Sequence, residues 1–350
     1  MNKTIIAKSL LCLCIALCML AIGLFRSNSR PKQADDHIYT QLQGSVFHTV
    51  YHIQYSDDRD FTPELTEMFR AFDASVSMFN DSSIVSRINR NDTSVIVNRF
   101  VKTVLLKALE VSRATEGAFD VTCAPLVNLW GFGFKNSEYV SQQAIDSIRQ
   151  FVGYQKVHLD SQNHIIKDDP RVMLDFSSIA KGYMCDVVAD FLQQQGVQDY
   201  MVEIGGEIAC GGLNSKGHLW GVGINEPVED STQLNTDLKD VMHLTDCGVA
   251  TSGNYRNFYY KDGQRYAHTI DPATGYPVQK DVLSATVIAP DCMTADAFAT
   301  AFMVMGSQRA LSVLDSDTTL MAYFIVASQS GEGNEVIYSP RLRHILDNPK

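Results

Sequence analysis

At 350 residues, 45% hydrophobic and 20% charged, the chain has ordinary globular composition and room for one large domain or two of average size. A net charge of −11 excludes a general electrostatic hold on nucleic acid. Any phosphate it binds must therefore be met by local donors or by a metal.

In chain order, Lys3 and Lys8 precede an apolar run over 9–25, and Arg26, Arg30 and Lys32 follow it. Residues 1–32 read as an N-terminal export signal or membrane anchor rather than part of the folded body. No small-x-small cleavage site is visible, which favours the anchor. Cys12, Cys14 and Cys18 each follow a leucine, which speaks against lipidation. The expected location is the outer face of the inner membrane, or the periplasm if the segment is cleaved.

Residues 44–55 (GSVFHTVYHIQY) read as one strand rich in β-branched and aromatic residues. With Thr62 as cap and Pro63 in the first turn, a helix follows whose inward positions are Leu65, Met68, Phe69, Phe72 and Val76. A second helix covers about 99–114, and Ser141 caps a short third one. Strands are expected over 157–167 and over 172–177. A helix starting at Ser177 or Ser178 closes at Gly196. Further strands fall near 200–204, 220–224, 241–244, 266–270 and 282–289. A helix over 294–305 stops at Gly306, and 321–326 and 336–338 are the final strands.

Helices and strands mix without regular βαβ alternation, so the expected class is α+β with largely antiparallel sheets. The folded part runs from about 36 to 346, either as one body or as two lobes around one nucleotide cleft. Cys123, Cys185, Cys210, Cys247 and Cys292 are scattered, odd in number and contain no C-x-x-C. They are neither a disulfide framework nor a zinc site by spacing. One bridge is compatible with export, but sequence cannot select its pair.

Three constellations could carry chemistry. In Leu174–Tyr183 an acidic residue, Asp175, precedes a helix start at Ser178, where free N–H groups favour anions. The bland reading makes Ser178 a cap and Asp175 a turn residue. In 294–301, Asp296 and Thr300 are four apart and share one helix face, an oxygen pair suited to Mg²⁺. The alternative is a side-chain hydrogen bond on an exposed face. Glycine-bearing turns follow at 204–207, 250–257 and 268–277, the last beginning with His268, a candidate acid or base. None forms a Rossmann or P-loop signature.

Taken together, the segments TEGAFDVTCAPLVNLWGFG (115–133), LDFSSIAKGYMCD (174–186), IGGE (204–207), TSGNYRN (251–257), HTIDPATG (268–275) and TADAFAT (294–300) resemble, in order, the FAD:protein FMN transferase family, also called ApbE. The resemblance spans roughly 44–340. It implies an ApbE-like fold and Mg²⁺-dependent transfer of FMN from FAD to a Thr or Ser hydroxyl of another protein, releasing AMP. It implies FAD contacts at Phe47, Phe79, Ala118, Phe119, Asp120, Asp175, Lys181 and Ile270. Mg²⁺ would be held by Ser178, Asp296 and Thr300. The resemblance places His268 beside the scissile phosphate; as an acid or base it could accept the hydroxyl proton, and Asp271 could orient it. Phe47 stands where many members carry Met, and Lys181 replaces a Glu of some relatives.

The implied partner is a membrane-associated or exported flavoprotein that carries the target hydroxyl. Two alternatives share the site: a pyrophosphatase giving FMN and AMP, and an exported FAD-binding protein without catalysis.

Overall fold

A tight hairpin opens the fold where the sequence suggested a single strand. In the computed structural model, which describes residues 38–133, 140–227, 238–254, 258–261, 264–328 and 333–347, strand β1 (Thr40–Val46) turns at Phe47 and His48 into β2 (Thr49–Tyr55). Both turn residues take positive φ, +50° and +60°. Two-residue hairpin loops favour that geometry, but Asn and Gly normally supply it, so this turn carried no sequence signal. The strain of about 1–3 kcal/mol per residue is offset by packing. The Phe47 ring lies 6.0 and 5.7 Å from those of Phe69 and Phe72 on helix α1 (Thr62–Val76). Thr62 is not the cap of α1; Phe61 precedes the helix, and Asp60 accepts the Thr62 N–H at 2.9 Å.

Helices α2 (Ile84–Asn89), α3 (Arg99–Ala114), α4 (Ala124–Leu129) and α5 (Gln142–Arg149) follow. The α3 boundaries match its periodicity, and Ser141 caps α5 by accepting the Ala144 N–H. The 157–167 stretch is a small hairpin, β3 (Val157–Leu159) and β4 (Ile165–Lys167). Residues 172–176 form no strand, and a turn begins at Ser177. The side chain of Asn89 accepts from Leu174 N–H at 2.8 Å and donates to its carbonyl at 2.9 Å. One amide side chain thus replaces a ladder partner, which an alternating pattern cannot reveal.

The remaining elements are helix α6 (Ala180–Gln194), strands β5 (Tyr200–Ile204), β6 (Glu207–Gly211), β7 (Trp220–Asn225), β8 (Leu238–Leu244), β9 (Cys247–Gly253), β10 (Phe258–Lys261), β11 (Gln264–Ala267) and β12 (Val282–Ala289), then helices α7 (Cys292–Met305) and α8 (Ser307–Ser316), strands β13 (Met321–Ala327) and β14 (Asn334–Tyr338), and helix α9 (Pro340–Asp347). Eight strands form one sheet in the order β1-β2-β5-β6-β9-β12-β13-β14, and every pairing in it is antiparallel. The class is α+β, as the sequence implied. The body from Tyr39 onward is one compact unit.

Two glycines set how α7 lies against its neighbours. A Cβ on Gly182 of α6 would fall 2.4 Å from the Cys292 carbonyl and 2.8 Å from Asp296 Cβ, so only glycine allows this crossing. A Cβ on Gly248 of β9 would lie 2.1 Å from Cys292 N. Helix α7 is consequently buried along its whole length except at Thr300. A helix buried all round is expected to be apolar all round. Asp296 breaks that rule, and the break marks the site.

Candidate functional site

The site begins with Asp296. It is 4% exposed, and its Oδ2 accepts the Gly182 N–H at 3.0 Å across the α6–α7 crossing. Burial raises its carboxyl pKa; the Lys181 ammonium and the Gly182 N–H oppose that shift. One helical turn on, Thr300 Oγ1 lies 3.2 Å from Ser252 Oγ at the end of β9. Both hydroxyls and Asp296 face a cavity of about 470 Å³, within the range of ligand sites. The exposed-face reading of Asp296 and Thr300 is therefore excluded.

Ser178 lines the same cavity from the turn before α6. It does not cap that helix: Ile179 is the boundary residue, with φ −150°, and no side chain caps the start. Asp175 also lines the cavity, and its Oδ1 accepts Ser177 N–H at 2.8 Å and Ser177 Oγ–H at 2.5 Å. Burial raises its pKa against those two bonds.

Lys181 reaches the cavity from the first turn of α6 and pairs with Glu207 at the start of β6. Glu207 is 4% exposed and also lines the cavity. Burial alone would lower the Lys181 pKa; the carboxylates of Glu207 and Asp296 outweigh it and hold the ammonium charged. Glu207 is a site residue that sequence reading missed. The available signal was an acid set directly between a Gly-Gly turn and an apolar strand.

Phe79, Ala118, Phe119 and Asp120 also line the cavity, with Cys123 from the start of α4. Asp120 holds its own loop: Oδ1 accepts from Thr122 N–H and Oγ–H, and Oδ2 accepts Tyr154 N–H at 2.8 Å. His268, Thr269 and Ile270 complete the lining. Their turn is anchored by Trp130, whose Nε1 donates to the Gly275 carbonyl at 2.7 Å.

Eleven of the thirteen residues singled out from sequence thus face one cavity: Phe79, Ala118, Phe119, Asp120, Asp175, Ser178, Lys181, His268, Ile270, Asp296 and Thr300. Two do not. Phe47 lines an adjoining pocket of about 130 Å³ together with His48 and Phe79. Asp271 is turned into its own loop, where Oδ1 accepts the Ala273 N–H at 2.9 Å. Within the TSGNYRN segment, residues 255–257 lie outside the described residues.

The donor set of Asp296, Thr300, Ser252 and Ser178 consists of hard oxygen atoms, which suits Mg²⁺. Among the described residues no group of three or more His, Cys, Asp or Glu could hold a metal, so a cation here would draw on hydroxyls and on its ligand's oxygens.

Comparison with known proteins bears on this cavity. The ApbE family model matches residues 47–324. The FAD:protein FMN transferase of Vibrio cholerae is 38% identical over 286 residues, covering 79% of this chain and 84% of the relative. That of Haemophilus influenzae is 37% identical over 305 residues, covering 83% and 87%. Among solved structures, the flavin transferase ApbE from Vibrio cholerae is similar at a TM-score of 0.78 and 35% identity, over 88% of this chain and 99% of that one. The apo form of Pseudomonas stutzeri flavinyl transferase ApbE gives 0.78 at 29% identity, over 89% and 98%.

Proposed function

From the premise that this chain belongs to the ApbE family, we infer that it is an FAD:protein FMN transferase, moving FMN from FAD to an acceptor protein. The observation that carries the site assignment is the convergence of Ser178, Lys181, His268, Asp296 and Thr300 on one cavity from separate segments.

In the proposed reaction FAD lies with its diphosphate against α6 and α7. Asp296, Thr300 and Ser178 would hold Mg²⁺, which when bound would offset the charge that develops as the phosphoanhydride breaks. The Lys181 ammonium, kept charged by Glu207, meets the same phosphates. Phe79, exposed at the cavity, offers its ring to a flat part of the substrate. The hydroxyl oxygen of an acceptor Thr or Ser forms a bond to the FMN phosphorus. The bond from that phosphorus to the AMP oxygen breaks, and AMP leaves. An imidazole nitrogen of His268 takes the hydroxyl proton. Asp271 contributes by holding the turn that presents Ile270, rather than by touching substrate.

The acceptor is proposed to be a membrane-associated or exported flavoprotein. That location follows from the apolar segment at 9–25, which lies outside the described residues. Among the described residues no helix is long and apolar enough to cross a membrane. Incubation with FAD, Mg²⁺ and a candidate acceptor tests the reading by mass spectrometry of all products. Covalent FMN on an acceptor hydroxyl with equimolar AMP is expected. Free FMN with AMP would instead make it a hydrolase, and retained FAD without AMP a binding protein.

A further inference from the structure

Cys210 and Cys247 are direct cross-strand neighbours at the final register pair of β6 and β9, with Sγ atoms 3.9 Å apart. Cys210 is buried and Cys247 is partly exposed. Cys185 and Cys292, by contrast, are both fully buried in the main core, and Cys123 faces the substrate cavity.

The position of the pair is informative. The ladder between β6 and β9 has three register pairs, the shortest join in the eight-stranded sheet. At Gly211 the chain leaves that sheet for the separate β7–β8 hairpin, and at Cys247 it returns. The two thiols therefore face each other across the neck of an excursion. Hydrogen bonds already close that neck: Trp220 Nε1 donates to the Gly211 carbonyl at 2.9 Å, and Thr245 Oγ–H to the Gly212 carbonyl at 2.5 Å. At the end of this seam away from the cysteine pair, the same two strands carry Glu207, Thr251 and Ser252, all on the cavity wall.

We propose that Cys210 and Cys247 form a thiol–disulfide site that staples the neck of the β7–β8 excursion and the β6–β9 seam. The oxidant is a small disulfide or a disulfide-bearing oxidoreductase. The Cys247 thiolate, the accessible member, attacks a sulfur of that disulfide and releases one thiol. The Cys210 thiolate then attacks Cys247 Sγ in the mixed disulfide and displaces the second thiol. Two cysteine thiols are oxidised, one external disulfide is reduced to two thiols, and the protons pass to the departing thiolates. The closing motion brings the sulfurs from 3.9 Å to about 2.05 Å, within reach of side-chain rotation for directly opposed residues.

The test uses the full chain, exposed to excess glutathione disulfide, alkylated, digested and mapped by mass spectrometry. The expected result is a linked pair of peptides containing Cys210 and Cys247, with Tm raised by about 5 °C and restored by dithiothreitol. In Cys210→Ser the exchange should stop at a stable glutathione adduct on Cys247. The proposal is overturned if both cysteines of the parent are recovered alkylated, if the bridge forms between Cys185 and Cys292 instead, or if Cys210→Ser carries no adduct on Cys247.

Discussion

Substitution of Gly182 by alanine adds one methyl group where α6 crosses α7. The new carbon would meet the Cys292 carbonyl at 2.4 Å and Asp296 Cβ at 2.8 Å, both on helix α7. Neither is the far end of a flexible side chain, so the helices must part. Overpacking of this kind costs about 1–3 kcal/mol. Separation also stretches the 3.0 Å bond from Gly182 N–H to Asp296 Oδ2, a charge-assisted bond contributing about 1.5–3 kcal/mol. Together these place the loss at about 2.5–6 kcal/mol, a large share of a typical domain's stability. Because Asp296 moves with α7, affinity for Mg²⁺ and FAD should fall with it, tenfold for each 1.4 kcal/mol or so.

Urea unfolding and calorimetric titration with Mg²⁺ and FAD measure the two losses separately. Gly196→Ala serves as control: it has positive φ at the end of α6, but an added methyl group would meet nothing within 4 Å. It should lower stability by about 1 kcal/mol and leave ligand affinity unchanged. If Gly182→Ala matches its parent in both measurements, the close crossing does not position Asp296.

Other expectations follow from individual contacts. His268→Ala should lower kcat by about 10²–10⁴ while FAD affinity stays within threefold of the parent; unchanged kcat would remove it from proton transfer. Trp130→Phe removes the donor to the Gly275 carbonyl, so stability should fall by about 1–3 kcal/mol and KM for FAD should rise. Unchanged unfolding midpoints would show that the Gly275 turn needs no such anchor. Burial pushes the Asp186 carboxyl up to about 8, although it accepts N–H bonds from Cys292 and Met293. A folded-state value above the unfolded one means its contribution is complete below about pH 4 and is lost as pH rises toward 8. Asp186→Asn should flatten that decline, and identical pH slopes of the urea midpoint in both proteins would contradict it.

What the sequence made legible was whatever a local period or a short motif can encode. Helix α3 has one buried face and one solvated face, so its apolar spacing marked both ends. The i, i+4 relation of Asp296 and Thr300 was likewise local. The hairpin turn at Phe47 and His48 was not, because its positive φ values are stabilised by rings on α1 rather than by turn-forming residues. Strand β9 (CGVATSG) shows neither alternation nor a strong apolar run, since its small residues lie beneath α7. Residues 172–177 looked like a strand because Asn89 satisfies Leu174 from a distant part of the chain.

The same division holds for the site. Ser178, Lys181 and Asp175 share a short segment, and their common role could be read there. The ion pair of Lys181 with Glu207 and the approach of Ser252 to Thr300 join residues far apart in sequence, so only the fold reveals them. Asp271 lies three residues from His268 in sequence, and the fold adds a contact no motif encodes, its Oδ1 accepting the Ala273 N–H within the same turn.

The most direct test is a crystal structure of the protein soaked with FAD and Mg²⁺. The cation should lie about 2.1 Å from a carboxylate oxygen of Asp296 and from Thr300 Oγ1, with the FAD diphosphate completing its shell beside Lys181. A diphosphate bound away from α7, or a cation that leaves Asp296 untouched, would contradict the account.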